Sequence, residues 1–163
     1  MIIVVMGVCS SGKTLIGDLL AKRLGLPFYD GDNFHPESNI SKMRKGIALN
    51  DKDRLPWLKN IANNMQKWDK DGGAVVACSA LKNTYRDILR TGSSDLRFVY
   101  LKGTKEIIIE RIKNRKGHFF PDLLVDSQFA TLEEPEDAIV IDIKLEPETI
   151  VEEIVKKLYR GQS

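Results

Sequence analysis

An α/β fold, a parallel sheet with helices on both faces, is the architecture this sequence predicts, and three observations predict it. Short apolar runs alternate with longer amphipathic stretches along the chain, the pattern of strands joined by helical crossovers. The first apolar run, Ile2-Ile3-Val4-Val5-Met6, passes directly into Gly7-Val8-Cys9-Ser10-Ser11-Gly12-Lys13-Thr14. The remaining polar motifs fall at the carboxyl ends of the expected strands, where open α/β sheets hold their ligands.

The elements follow in order. The run at 2–6 is apolar throughout, as a strand buried on both faces requires. Leu15, Ile16, Leu19, Leu20 and Leu24 place an apolar stripe on a helix over 13–24, and Gly25 is its C-cap. A short strand is expected at 27–29, then helices near 37–45 and 53–70, the longer one ended by Gly72-Gly73. Asp53 reads as the cap of that long helix, with Pro56 in its first turn. Strands at 74–78, 97–101 and 138–142 bring the sheet to five, with the strand at 74–78 beside the first. Helices near 81–91, 104–114, 122–133 and 147–159 alternate with them, and Ser79, alone or with Ala80, reads as the cap of the first of these. No repeat, low-complexity tract or linker divides the chain, so residues 1–163 read as one domain.

Composition bounds the function. A net charge of +2 is too small to imply nucleic acid or a membrane surface as partner. No apolar stretch approaches the length of a membrane span, and the first strand begins at once, which leaves no room for a targeting segment. Cys9 and Cys78 make no disulfide framework and fit a reducing cytoplasm.

Gly7 to Thr14 fits the pattern G-x-x-x-x-G-K-[ST] in its proper place between strand and helix. Such a loop wraps its backbone N–H groups around phosphate oxygens, and the following helix adds its positive end. Gly7, Val8, Cys9, Ser10, Ser11, Gly12, Lys13 and Thr14 are therefore the expected nucleotide-binding residues. Lys13 would reach the β- and γ-phosphates of ATP, and the Thr14 hydroxyl would ligate Mg²⁺. Asp30 and Asp32 stand two apart, which at strand period points both carboxylates one way. Asp30 is assigned to the metal and Asp32 to the substrate hydroxyl as its base, against the plainer reading of a polar Asp-Gly turn.

Arg54 offers a fork suited to a carboxylate or phosphate, or is a solvated helix-start arginine. Lys82 and Arg86 lie four apart on one expected helical face, either solvated or bracketing an anion. Arg111 and Arg115 repeat that spacing ahead of Lys116-Gly117-His118-Phe119, as a basic helix end or as part of a lid near 114–122. Trp57 and Trp68 are read as packing residues. His35 reads as a cap or surface residue before context.

Taken together these segments resemble the short P-loop gluconokinases. The matching stretches are Met6-Gly7-Val8 through Gly12-Lys13-Thr14, Phe28-Tyr29-Asp30-Gly31-Asp32-x-x-His35-Pro36, and Lys42-Met43-x-x-Gly46. They continue with Leu49-Asn50-Asp51-x-Asp53-Arg54-x-Pro56-Trp57-Leu58 and Cys78-Ser79-Ala80-Leu81-Lys82-x-x-Tyr85-Arg86-Asp87. Gly117-His118-Phe119 and Ser127-Gln128-Phe129-x-Thr131-Leu132-Glu133-x-Pro135 complete the set.

The resemblance implies a P-loop kinase fold with a lid, and transfer of the γ-phosphoryl of ATP, with Mg²⁺, to the 6-hydroxyl of D-gluconate. It implies a cytoplasmic homodimer, Arg111 on the adenine side, and Arg115 as the lid arginine that offsets charge on the transferring group. Arg54, Lys82 and Arg86 become candidates for the sugar-acid carboxylate and hydroxyls, and His35 and Gln128 polyol contacts. A kinase of the same fold for another acceptor, such as shikimate, and a nucleotide-binding regulator without turnover are the competing readings. One departure stands out: the family usually carries glycine where this chain has Ser10, so a Cβ enters a loop that favours unusual backbone angles.

Overall fold

The computed structural model describes residues 1–114 and 122–160. Its strands, β1 (Ile2–Met6), β2 (Phe28–Asp30), β3 (Ala74–Ala77), β4 (Leu96–Lys102) and β5 (Ile139–Asp142), form one sheet in the order β2-β3-β1-β4-β5. Every neighbouring pair is parallel, and β1 lies between β3 and β4, paired Val4 to Val76 on one side and Val4 to Phe98 on the other. The helices are α1 (Lys13–Leu24), α2 (Glu37–Arg44), α3 (Asp51–Lys70), α4 (Asn83–Arg90), α5 (Lys105–Lys113), α6 (Asp122–Thr131) and α7 (Pro147–Leu158).

β1 supplies both hydrophobic cores. Ile3 and Val5 face α1, α5 and α7 through Ile16, Leu20, Ile108, Ile150 and Ile154. Ile2, Val4 and Met6 face α3 and α4 through Trp57, Leu58, Ile61, Met65, Tyr85 and Leu89. All five β1 residues are fully buried, which accounts for the unbroken apolar run where a one-sided strand would alternate. From β1 the chain passes to the edge strand β2, returns to β3 beside β1 and then crosses to β4 and β5, so the connections leaving the neighbouring strands β1 and β3 run in opposite directions, and the ligand crevice opens beyond their carboxyl ends.

Three local expectations are corrected. The long helix starts at Asp51, and Asn50 is its cap: the Asn50 side chain accepts from the Asp53 amide at 2.8 Å while the Asp53 carboxylate accepts from the Asn50 amide at 3.1 Å. Asp53 is thus the reciprocal partner in a capping box, and Pro56 sits inside the helix beyond its first turn. α4 begins at Asn83 with Lys82 in the cap position, so neither Ser79 nor Ala80 caps it. Its first amide is instead satisfied from outside, by the Glu133 carboxylate at 2.8 Å. β2 ends at Asp30 and Gly31–Phe34 form a 3₁₀ turn, so strand parity does not extend from Asp30 to Asp32. Gly25 does end α1, in the left-handed conformation at φ 69°.

Candidate active site

The loop between β1 and α1 is shaped by residues that carry no charge. Gly7 has φ 153°, and a Cβ there would meet Ser11 Oγ at 2.7 Å and the Leu101 carbonyl at 3.0 Å. Gly12 caps α1 in the left-handed region at φ 98°, with no side chain bonded to the first amides of the helix and no acid in its first turn. Those amides, and the positive end of α1, are left to a ligand, and an anion suits them. Ser10 adopts the left-handed region as well, at φ 59°, so the departure from glycine noted in the sequence falls on a position where glycine is the easier residue. Ser11 Oγ is buried and has no hydrogen-bond partner among the described residues.

Side chains from distant elements brace this loop. Lys13 Nζ donates to the Val8 carbonyl across the loop at 2.9 Å. Arg111, from α5, donates to the Ser10 and Ser11 carbonyls at 3.4 and 3.3 Å and to the Ile143 carbonyl at 2.7 Å. Gln128, from α6, accepts the Cys9 amide at 2.8 Å. A cleft of about 660 Å³ lies over the loop, lined by Lys13, Thr14, Asp30, Asp32, Cys78, Arg111 and Gln128 among others. Its size suits a nucleotide-sized ligand.

The two aspartates do meet in this cleft, although by a route other than strand parity. Asp30 stands at the end of β2, where one carboxylate oxygen caps the 3₁₀ turn by accepting from the Asp32 amide at 3.0 Å. Its other oxygen takes the Thr14 hydroxyl at 3.4 Å. Asp32 is open at the cleft mouth, yet the surrounding walls raise its pKa above the ordinary aspartate value, and Asp30 adds to the rise. Lys13 and His35 oppose that shift. Burial lowers the pKa of Lys13, with Asp32 the largest of the charges that pull it back up. The cleft thus holds a cation and two carboxylates in mutual view, and one carboxylate is held nearer to neutrality than usual.

The donors fit a small hard cation. The Thr14 hydroxyl and the Asp30 carboxylate face each other with oxygen ligands only, and no cluster of three or more metal-binding side chains exists among the described residues. One or two protein oxygens beside a phosphate site are what Mg²⁺ uses, since it keeps most of its ligands as water and substrate phosphates.

Away from the loop, the starts of α3 and α4 form a second charged group. Tyr85 donates to Asp51 at 2.5 Å and accepts from Arg54 at 3.1 Å, while Lys82 holds Asp51 at 3.1 and 3.2 Å. The Tyr85 and Lys82 hydrogen bonds hold the Asp51 carboxyl below the usual aspartate range. His35 connects this group to Asp32: burial lowers its pKa, the charge of Asp32 works against that, and Arg54 adds to it. Its ring stacks on Trp57 at 4.2 Å, and the Trp57 indole donates to the Gly31 carbonyl at 2.8 Å. The buried Asn39 amide donates to His35 Nδ1 at 3.1 Å and to the Asp53 carbonyl at 2.9 Å, so the neutral imidazole carries its proton on Nε2.

Two expected acceptor-binding residues have other partners. Arg86 is 1% exposed, and its guanidinium donates to the Ala80 carbonyl at 2.6 Å, to the Glu133 carbonyl at 2.7 Å and to the Asn83 side chain. It clamps the β3–α4 loop to the segment after α6 and does not bracket an anion with Lys82. Gln128 holds the nucleotide loop. Arg115 and the lid motif through Phe119 lie outside the described residues. Asn39, Asp51 and Tyr85 were not singled out from the sequence. Asp51 and Tyr85 have a signal in their place beside Arg54 and Lys82, and Asn39 in its spacing of four from His35, whereas its second partner, the Asp53 carbonyl, becomes a neighbour only in the fold.

A parallel sheet with its switch point between β1 and β3, a phosphate loop on α1 and paired aspartates beside its lysine define the class: a P-loop kinase of small molecules. The family model described as shikimate kinase matches residues 9–159. A probable gluconokinase of Xenopus tropicalis is 47% identical over 173 residues, spanning 94% of this chain and 91% of that one. The thermoresistant gluconokinase of Escherichia coli (strain K12) is 43% identical over 99% of this chain and 95% of its own. The crystal structure of a gluconokinase from Sinorhizobium meliloti 1021 superimposes with a TM-score of 0.87, at 42% identity, covering 97% of this chain and 91% of that chain. The chain belongs to the shikimate kinase family and, within it, to the gluconokinases.

Proposed function

We propose that this chain transfers the γ-phosphoryl group of ATP to the 6-hydroxyl of D-gluconate, giving 6-phosphogluconate and ADP. The observation that carries the reading is the single cleft in which the phosphate loop, Lys13, Thr14, Asp30 and Asp32 converge. The loop amides and the α1 N-terminus bind the phosphates, Lys13 exchanges the Val8 carbonyl for phosphate oxygens, and Arg111 backs the loop on the adenine side. Asp32 orients the acceptor hydroxyl and takes its proton, a task its raised pKa favours. Thr14 and Asp30 hold Mg²⁺, which neutralises charge on the phosphates. Arg54 and Lys82 face the sugar-acid carboxylate and His35 offers its Nε2 proton to a hydroxyl, while Arg115 offsets charge on the transferring group on the strength of the resemblance alone. A homodimer in the cytoplasm completes the proposal on the same ground. No helix among the described residues is long and apolar enough to cross a membrane.

The deciding experiment is ADP release by the purified protein with Mg-ATP, alone and with D-gluconate, shikimate or related sugar acids. Stimulation by gluconate alone is expected. Stimulation by shikimate instead would overturn the acceptor, and ATP binding with no stimulated turnover would make the chain a nucleotide-binding regulator.

A further inference from the structure

The bond from Gln128 to the Cys9 amide joins residues 119 apart in sequence, at the one stretch of the loop where a non-glycine residue holds a left-handed conformation. Serine in that conformation carries a steric cost that glycine avoids, so an unrestrained loop would relax at Ser10. Two contacts oppose the relaxation from either side of the Ser10 residue. Arg111 holds the Ser10 and Ser11 carbonyls, and Gln128 holds the amide of Cys9 just before them. α6 is a stiff mount for this contact, because its far end is fixed to the β3–α4 loop. There the Glu133 amide donates to the Leu81 carbonyl at 2.7 Å, the Glu133 carboxylate accepts from the Asn83 amide at 2.8 Å, and Arg86 donates to the Glu133 carbonyl at 2.7 Å.

We propose that Gln128 is a positioning residue for the phosphate loop: its side-chain carbonyl holds the Cys9 amide and with it the left-handed turn at Ser10, and it thereby sets affinity for ATP and not for the acceptor. Gln128 touches neither reactant in this role. The inference rests on the reading of the loop as the ATP site, and it replaces the role of polyol contact expected from the sequence.

The test is Gln128→Met, which keeps the side-chain volume and removes the acceptor, together with Gln128→Glu, which keeps an acceptor for Cys9 but adds a negative charge beside the phosphates. Both are made in the natural chain and in a Ser10→Gly chain. ATP affinity is measured by calorimetry with no acceptor present, and KM for ATP and for gluconate is measured in turnover. Gln128→Met is expected to weaken ATP binding roughly threefold to tenfold, the worth of one net hydrogen bond, with gluconate KM unchanged within twofold. Gln128→Glu is expected to weaken ATP binding further while keeping the parent's thermal midpoint. In the Ser10→Gly chain the loss from Gln128→Met shrinks, because glycine needs no restraint to hold the turn. A raised gluconate KM with unchanged ATP affinity would overturn the proposal in favour of an acceptor contact. Equal losses in the serine and glycine chains would overturn the link to Ser10. Failure of the parent chain to bind ATP would instead refute the kinase reading, before any variant is compared.

Discussion

The phosphate half of the site and its proposed acceptor side are built on different principles. The phosphate half hangs from β1, a central strand with every residue buried, and its working groups are mostly backbone amides whose directions are set by Gly7, Ser10 and Gly12. The proposed acceptor side, on α2 and the starts of α3 and α4, works through side chains: the hydroxyl of the buried Tyr85 links Asp51 to Arg54, Lys82 pairs with Asp51, and Asn39 orients His35 from behind. Backbone donors tolerate changes of side chain around them, whereas a side-chain network depends on each of its members. The phosphate half can therefore be shared by many kinases, and on the proposed reading the acceptor side is where a particular substrate is chosen.

This contrast can be broken at its strongest point by Lys13→Met. Turnover should fall by three orders of magnitude or more, as expected when a charge on the transferring phosphates is lost, with the thermal midpoint kept or raised because a cation disfavoured by its burial is removed. A midpoint lowered by many degrees would show that the Val8 contact is structural.

Asp32→Asn tests the boundary between the halves. A drop in kcat of about 10²–10⁴-fold is expected for loss of a general base, together with loss of the acid limb of the pH–rate profile. In the natural chain that limb lies above the ordinary aspartate pKa, because the folded-state value is raised. The sign for stability follows from the same shift. The folded state binds this proton more tightly than the unfolded one, so stability falls as pH rises from the ordinary aspartate value through the folded-state pKa. The Asn variant escapes that loss, and melting curves at pH 7 should show it slightly more stable than the parent, the difference vanishing in acid. An unchanged rate would remove Asp32 from the chemistry.

Tyr85→Phe sharpens the acceptor side. The Asp51 and Arg54 hydrogen bonds are both lost, and gluconate KM should rise roughly tenfold, about 1.4 kcal/mol of binding, as Asp51 and Arg54 lose the hydroxyl that positions them, while ATP KM holds. Arg86→Met should do the reverse of what a substrate contact would do. Substrate constants stay near the parent's, and the protein loses about 2–4 kcal/mol as the Ala80 and Glu133 carbonyls lose their donor. A selective rise in gluconate KM in Arg86→Met would restore the reading that the structure overturns.

The sequence disclosed the two halves unequally, for the same reason that they differ. Five strands, their alternation with helices and the phosphate loop are written in local pattern: an unbroken apolar run, a glycine spacing, an amphipathic stripe. Asp30 and Asp32 both line the cleft although strand parity ends at Asp30, because the 3₁₀ turn returns Asp32 to it. What local pattern could not disclose is which long-range partner a polar side chain finds. Arg86 and Lys82 share a helical spacing, yet one is buried under carbonyls supplied in part by Glu133, 47 residues away, and the other pairs with Asp51 at the surface. The loop contact of Gln128 and the Asp53 contact of Asn39 were beyond reach for the same reason, since neither spacing nor propensity links a residue of α6 to Cys9 or one of α2 to the Asp53 carbonyl.

The stacking of Trp57 on His35 also gives the protein an internal optical label. Of the two tryptophans in the chain, Trp68 lies flat against Tyr29 at 4.0 Å, with its emission governed by the core. Trp57 shares its face with an imidazole, and a protonated imidazole quenches indole light far more strongly than a neutral one. Fluorescence from Trp57 is therefore expected to fall when His35 is protonated, at a pH below the ordinary histidine value because burial lowers its pKa, and a pH titration of the emission checks this. On the proposed reading, binding of gluconate is expected to change this emission with no dye added.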